Sequence, residues 1–226
     1  MQLYIGNKNY SSWSMRPGVL LKQAGIAFDE VKIRFDAFTP ESSFKTELAR
    51  ISPAGRVPVL VDGELAVWDT LAIAEYLAER FPEKQLWPQD VAARARARSV
   101  CAEMHAGFGA LRSHFPMNIE AELPEVGTRV LAEQPAVRAD LDRLFAMWSA
   151  LLAAHGGPLL FGAFTIADAY FAPVVMRLKT YGIVLPAGID AYSKRVQALP
   201  GVATWITDAL AERDFLDFEE PYRSQA

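Results

Sequence analysis

The dipeptide Asp62-Gly63 lies between two short apolar runs, "VPVLV" at 57–61 and "LAVW" at 65–68. Glycine reaches positive φ without steric cost, so this arrangement specifies a tight antiparallel hairpin. Upstream, "LYI" at 3–5 and the alternating "FDEVKI" at 28–33 read as strands, with "SSWSMRPGVLLKQAG" between them as a helix closed by Gly25. A helical crossover joins parallel strands, whereas a two-residue turn joins antiparallel ones. After the hairpin, "DTLAIAEYLAERF" places apolar side chains at Leu71, Ile73, Ala74 and Leu77, an amphipathic helical spacing. The order β-α-β, a variable segment, then β-β-α predicts a small mixed sheet.

Past residue 81 the pattern changes. "FPEKQLWPQD" at 81–90 carries Pro82 and Pro88 without a steady period and reads as a linker. Helix-like spacing then covers 91–115, 135–155, 166–181 and 200–215, with Pro or Gly at the breaks. The expected organisation is an α/β domain over 1–81, a linker over 82–90 and an all-helical domain over 91–226. "ARARAR" at 93–98 reads as a solvated helix face.

Charge and cysteine usage narrow the function. A formal net charge of -4 gives no support to a nucleic-acid partner. No apolar run reaches transmembrane length, and "MQLYIGNKNY" lacks the order of a signal peptide. Asn9-Tyr10-Ser11 matches a glycosylation pattern, and without a secretion signal it reads as coincidence. Cys101 stands alone in a helical, partly apolar stretch, which rules out an internal disulfide and points to a buried, inert thiol. His105, His114 and His155 show no ligand spacing, so no metal is expected. A cytoplasmic soluble protein is expected, without a membrane partner.

Three local signals carry chemistry. "NYSSWSMRPG" at 9–18 crowds hydroxyls at a helix start, where serine caps the helix or, with the exposed N–H groups, serves an anion. A hydroxyl there can donate to a thiolate. "GRVPVL" at 55–60 puts Pro58 at the mouth of a strand; a cis Val57–Pro58 bond would free Val57's backbone for an extended peptide ligand, while a plain edge proline is the simpler reading. "WDT" at 68–70 gives the next helix two capping residues, Asp69 and Thr70, or a site for a carboxylate and an amine. A ligand with a thiol, a peptide backbone and an α-amino acid end would use all three.

The order Ser-Ser-x-Ser-x-Arg, Gly-Arg-Val-Pro-Val-Leu and Asp-Thr before "LAIAEYLAERFP" resembles the cytosolic glutathione transferases along essentially the whole chain. "GAFTIADAYFAP" at 162–173 resembles that family's buried capping box, with Thr165 as cap and Asp168 three positions on. The resemblance implies a thioredoxin-like first domain, an all-α second domain, a homodimer, and glutathione as co-substrate. It implies a zeta-like, serine-type site, with Ser11 and Ser12 as catalytic residues and Ser14 a further candidate for the sulfur. It places Val57, Pro58, Asp69 and Thr70 at the tripeptide; Arg56 either approaches its glycine carboxylate or is solvated surface. Trp13 stands where the zeta pattern has cysteine, and Pro17-Gly18 replaces an apolar-basic pair. Trp13, Met104, Phe108, Leu111 and Phe115 are candidate walls for a small apolar electrophile, although the spacing of the last four also fits a core stripe. The implied activity is glutathione conjugation. The alternatives are a glutathione-dependent cis-trans isomerase of the maleylacetoacetate type and a non-catalytic binding module.

Overall fold

A computed structural model describes residues 1–224. Its first part contains β1 (Gln2–Ile5), α1 (Ser12–Ala24), β2 (Asp29–Lys32), α2 (Ser43–Ala49), β3 (Val59–Asp62), β4 (Leu65–Val67) and α3 (Thr70–Arg80). The four strands form one sheet in the order β2-β1-β3-β4. β1 runs parallel to β2 and antiparallel to β3, with Leu3 opposite Glu30 on one side and Leu60 on the other. The β3–β4 turn uses Gly63 at φ 60°, the conformation its hairpin requires. The mixed sheet is therefore the one expected. The variable segment holds α2, which had no clear periodic signal: Asp36 accepts the Ser43 N–H at 2.8 Å and Ser42 caps the helix.

After a 3-10 turn at Pro82–Lys84 come α4 (Val91–Ala106), α5 (Gly109–His114), α6 (Pro124–Glu133), α7 (Pro135–His155), α8 (Ile166–Thr180), α9 (Ala187–Ala198) and α10 (Pro200–Glu212). A second 3-10 turn, Asp217–Glu219, precedes the last described residues. The single helix expected over 91–115 is broken. The Gly107 N–H closes α4 on the Glu103 carbonyl at 2.7 Å, and Phe108 takes a left-handed φ of 54°. Asp140 of α7 then accepts the Leu111 N–H at 2.8 Å and so satisfies an early N–H of α5. α6 and α9 were not foreseen. Both start without a side-chain cap, and α9 buries only Ile189, Tyr192, Ser193 and Val196.

A small cluster gathers Tyr10, Ile33, Phe35, Phe44, Leu48 and Leu216, and the main core runs from Leu3 of β1 to Ala209 of α10. α1 joins its two parts, because it packs against both α8 and α10. A Cβ on Gly18 would collide with the Trp205 ring, and one on Gly201 would lie 2.9 Å from the Val19 carbonyl. Pro17-Gly18 thus lets α10 approach closely, with Trp205 Nε1 donating to the Lys8 carbonyl at 3.2 Å. Thr165 and Asp168 form a reciprocal capping box at the start of α8. The Asp168 carboxylate also accepts the Leu160 N–H and the Tyr192 hydroxyl, each at 3.2 Å. Burial pushes this carboxyl up to about 6, while those donors oppose the shift.

Candidate functional site

The amino end of α1 is built from hydroxyls with separate partners. Ser11 is the N-cap: its Oγ accepts the Ser14 N–H at 3.3 Å and donates to Ser14 Oγ at 2.7 Å. Ser14 Oγ also accepts the Gly6 N–H at 3.1 Å, so Ser14 faces inward, with no exposed surface. Ser12 Oγ accepts from Arg177 Nη2 of α8 at 3.0 Å. Both Ser11 and Ser12 line a cavity of about 480 Å³, together with Trp13, Val57, Arg112 and Met117. Phe35, Phe38 and Phe44 supply its aromatic wall, and Lys45, Arg56 and Arg177 its positive charge. Glu219, in the last 3-10 turn, brings a carboxyl to the same space. Burial pushes that carboxyl up to about 7, with Arg177 pulling the other way.

A second cavity of about 590 Å³ shares Trp13, Arg56 and Val57 with the first, and adds Pro58, Asp69, Thr70 and His105. The Val57–Pro58 peptide is cis. Val57 itself precedes the ladder, which begins at Val59 opposite Tyr4. Asp69 is the N-cap of α3 and accepts the Leu71 N–H at 3.4 Å; Asp69 Oδ2 lies 3.3 Å from His105 Nε2. The Thr70 hydroxyl is buried, 2.7 Å from the Tyr170 hydroxyl and 3.2 Å from Asp69 Oδ1. The starts of α1 and α3, each carrying the partial positive charge of a helix amino end, thus open on one continuous groove.

Three arginines underlie the groove. Arg16 is 2% exposed and lies between two rings, its guanidinium carbon 4.2 Å from the Trp13 centroid and 4.7 Å from that of Tyr170. Its Nε and Nη1 have no hydrogen-bond partner among the described residues. Burial lowers Arg16 to about 10 and Arg177 to about 9, which leaves both charged at neutral pH. Arg112 lies 5.7 Å from the Trp13 ring. None of the three has a carboxylate partner among the described residues, and a buried cation such as Arg16 without a counter-charge is costly, so their collection here makes the site receptive to anions.

The residues expected at the site separate into two groups. Ser11, Ser12, Trp13, Arg56, Val57, Pro58, Asp69 and Thr70 all border the groove. Met104, Phe108 and Leu111 do not. They belong with Phe115 to the main core, are at most 6% exposed and line neither cavity. The groove is lined instead by Phe35, Phe38, Phe44 and Met117. Those three phenylalanines come from the variable segment around α2, which carried no motif. Arg112, Arg177 and Glu219 were also missed, since isolated charges in helical or terminal segments look like solvated surface. His105 was weighed only as a metal ligand. Among the described residues no group of His, Cys, Asp and Glu suited to a metal occurs. Cys101 is buried, and burial raises its thiol. Asn9 is buried too, its amide donating to Asn118 at 3.0 Å, which leaves no room for a glycan.

The sequence model of the glutathione S-transferase N-terminal domain matches residues 10–80, and that of the C-terminal domain matches 89–208. This chain belongs to the glutathione S-transferase family. It is 30% identical over 203 residues to glutathione S-transferase 1 of Dianthus caryophyllus, covering 86% of this chain and 87% of that one. It is 30% identical over 169 residues to a zeta-class glutathione S-transferase of Euphorbia esula, covering 73% and 71%. In fold it matches a glutathione transferase homolog from Burkholderia GL BGR1, solved with bound glutathione, at a TM-score of 0.69 and 24% identity, covering 94% of this chain and 98% of the other.

Proposed function

We propose that this protein binds glutathione along the groove, ionises its thiol at the start of α1 and transfers the sulfur to small electrophiles. One observation carries the reading. Ser11 and Ser12, Val57 and Pro58, and Asp69 and Thr70, far apart in sequence, border two cavities that share Trp13, Arg56 and Val57. The γ-glutamyl end belongs at Asp69 and Thr70, where the helix amino end suits its carboxylate and Asp69 its amine. The cysteinyl backbone pairs with Val57, which the sheet leaves outside its ladder. That path brings the sulfur to the hydroxyls of Ser11 and Ser12. Arg56 reaches the glycine end.

A free thiol of pKa near 8.5 is mostly protonated at neutral pH, and the thiolate is the nucleophile. Lowering that pKa by about two units takes about 3 kcal/mol of differential stabilisation, within reach of a hydroxyl donor, a helix amino end and nearby guanidinium groups. The thiol proton leaves to solvent, the sulfur–carbon bond forms, and the displaced group departs with its electron pair. The electrophile occupies the aromatic side of the groove, its apolar body against Phe35, Phe38 and Met117. A cis-trans isomerisation through reversible addition of the same thiolate is the second reading, favoured by the likeness to a probable maleylacetoacetate isomerase of Caenorhabditis elegans, 29% identical over 185 residues.

Calorimetric titration with glutathione tests the reading first. Asp69→Ala is expected to weaken binding about tenfold, the loss of one charge-assisted hydrogen bond. A wild-type protein that takes up no glutathione defeats conjugation and isomerisation alike. With binding established, consumption of glutathione by an aryl halide marks transfer, and conversion of a cis diacid without consumption marks isomerisation.

A further inference from the structure

Arg177 of α8 directs both terminal nitrogens to groups within the protein. Its Nη1 donates to the Phe115 carbonyl and, at 3.5 Å, to the Arg112 carbonyl, both at the carboxyl end of α5. Its Nη2 donates to Ser12 Oγ at 3.0 Å. The α5 carbonyls, which have no partner within their own helix, stand in for a carboxylate. Held on that side, the guanidinium presents its remaining edge to Ser12 in a fixed direction.

The two groove serines differ in what they have left to give. Ser11 donates its proton to Ser14 Oγ and receives the Ser14 N–H, so both its functions serve the cap. Ser12 receives the Arg177 N–H, and its own proton has no acceptor among the described residues, while the residue lines the cavity. A hydroxyl that accepts from a cation becomes a stronger donor through its own hydrogen, and more so where water is excluded. We propose that Arg177 is a positioning residue that aims and polarises the Ser12 hydroxyl, so that Ser12 rather than Ser11 donates to the glutathione sulfur; the proposal rests on the glutathione reading above. The helical half thereby completes a site whose motif lies wholly in the first 80 residues.

The test is a pH titration of bound glutathione followed by thiolate absorbance, on wild type, Ser11→Ala, Ser12→Ala, Arg177→Met and the Ser12→Ala/Arg177→Met pair. Arg16 and Arg112 face Arg177 from α1 and α5, and Lys45, Arg56 and Glu219 share its cavity. Glu219→Gln serves as a control for the carboxyl. Tyr10 and Tyr181, which absorb in the same band, are both raised by burial and stay protonated.

Ser12→Ala and Arg177→Met are each expected to raise the pKa of the bound thiol by about one unit, a tenfold change in its ionisation constant. The double variant should do no worse than either single change, since both remove one interaction. Replacing a buried charge by an apolar chain of similar length is compatible with folding. Arg177→Lys is the second variant: it keeps the charge, cannot bridge α5 and Ser12 together, and should also lose thiolate. The proposal is overturned if Ser11→Ala carries the loss while the Ser12 and Arg177 variants titrate like wild type, or if the paired losses simply add. If wild type itself binds no glutathione, the functional reading has failed instead.

Discussion

Asp168 combines two roles in one carboxylate, helix capping and cross-linking. Four donors converge on it: the backbone N–H groups of Leu160 and Thr165, and the hydroxyls of Tyr192 and Thr165. Asp168→Ala would leave several of these buried and unpaired, at about 1 kcal/mol or more each. A loss of about 3 kcal/mol is expected in urea unfolding, and a loss below 1 kcal/mol would show that the site relaxes around the gap. The cap itself was legible from Thr165 and Asp168. Its tie to Tyr192 was not, since no local pattern relates residues 24 apart. Gly18 teaches the same lesson: as sequence it departs from a family pattern, and in the structure it is the surface on which Trp205 rests. Gly18→Ala should lower the melting temperature by forcing α1 and α10 apart.

At the scale of elements, α1 and the C-terminal turn behave differently. α1 has its cap at Ser11, its left-handed terminator at Gly25 with φ 63°, and most of its residues buried. Ser11→Ala is expected to cost about 1 kcal/mol through the lost cap, read as a shift in the unfolding midpoint. The Asp217–Glu219 turn is held by longer-range ties: Glu220 accepts the Tyr10 hydroxyl at 2.8 Å, and Tyr222 donates to the His114 carbonyl at 2.9 Å. Glu219 keeps a proton in the folded protein up to about pH 7, whereas an unfolded glutamate releases it near its ordinary value of 4.5. The folded state binds more protons across that window, so this residue's contribution to stability falls as pH rises through it. Glu219→Gln should flatten the pH dependence of stability between about 4.5 and 7. An unchanged slope would mean that the carboxyl is solvated.

Across the whole molecule, one main core is shared by an α/β half and a helical half. Lys8 lies 2.5 Å from Glu30 of β2 and 2.6 Å from Asp208 of α10, and Lys22 of α1 lies 2.8 Å from the same Asp208. With α1 buried between sheet and helices, neither half can lose its partner without exposing core. Calorimetric unfolding should therefore show one transition spanning both halves; two separated transitions would contradict the shared core. The chain's own order dictated the mixed sheet, the hairpin, the ends of α1 and α7 and the three motifs facing the groove, because caps, turns and periodicity act over a few residues. Only the tertiary structure decided that Met104, Phe108 and Leu111 are core and that three phenylalanines near α2 line the groove. It alone brought Arg177 to Ser12 across 165 positions. Contacts of that separation are fixed by how helices pack on one another, and packing leaves no mark in the local pattern of a single segment.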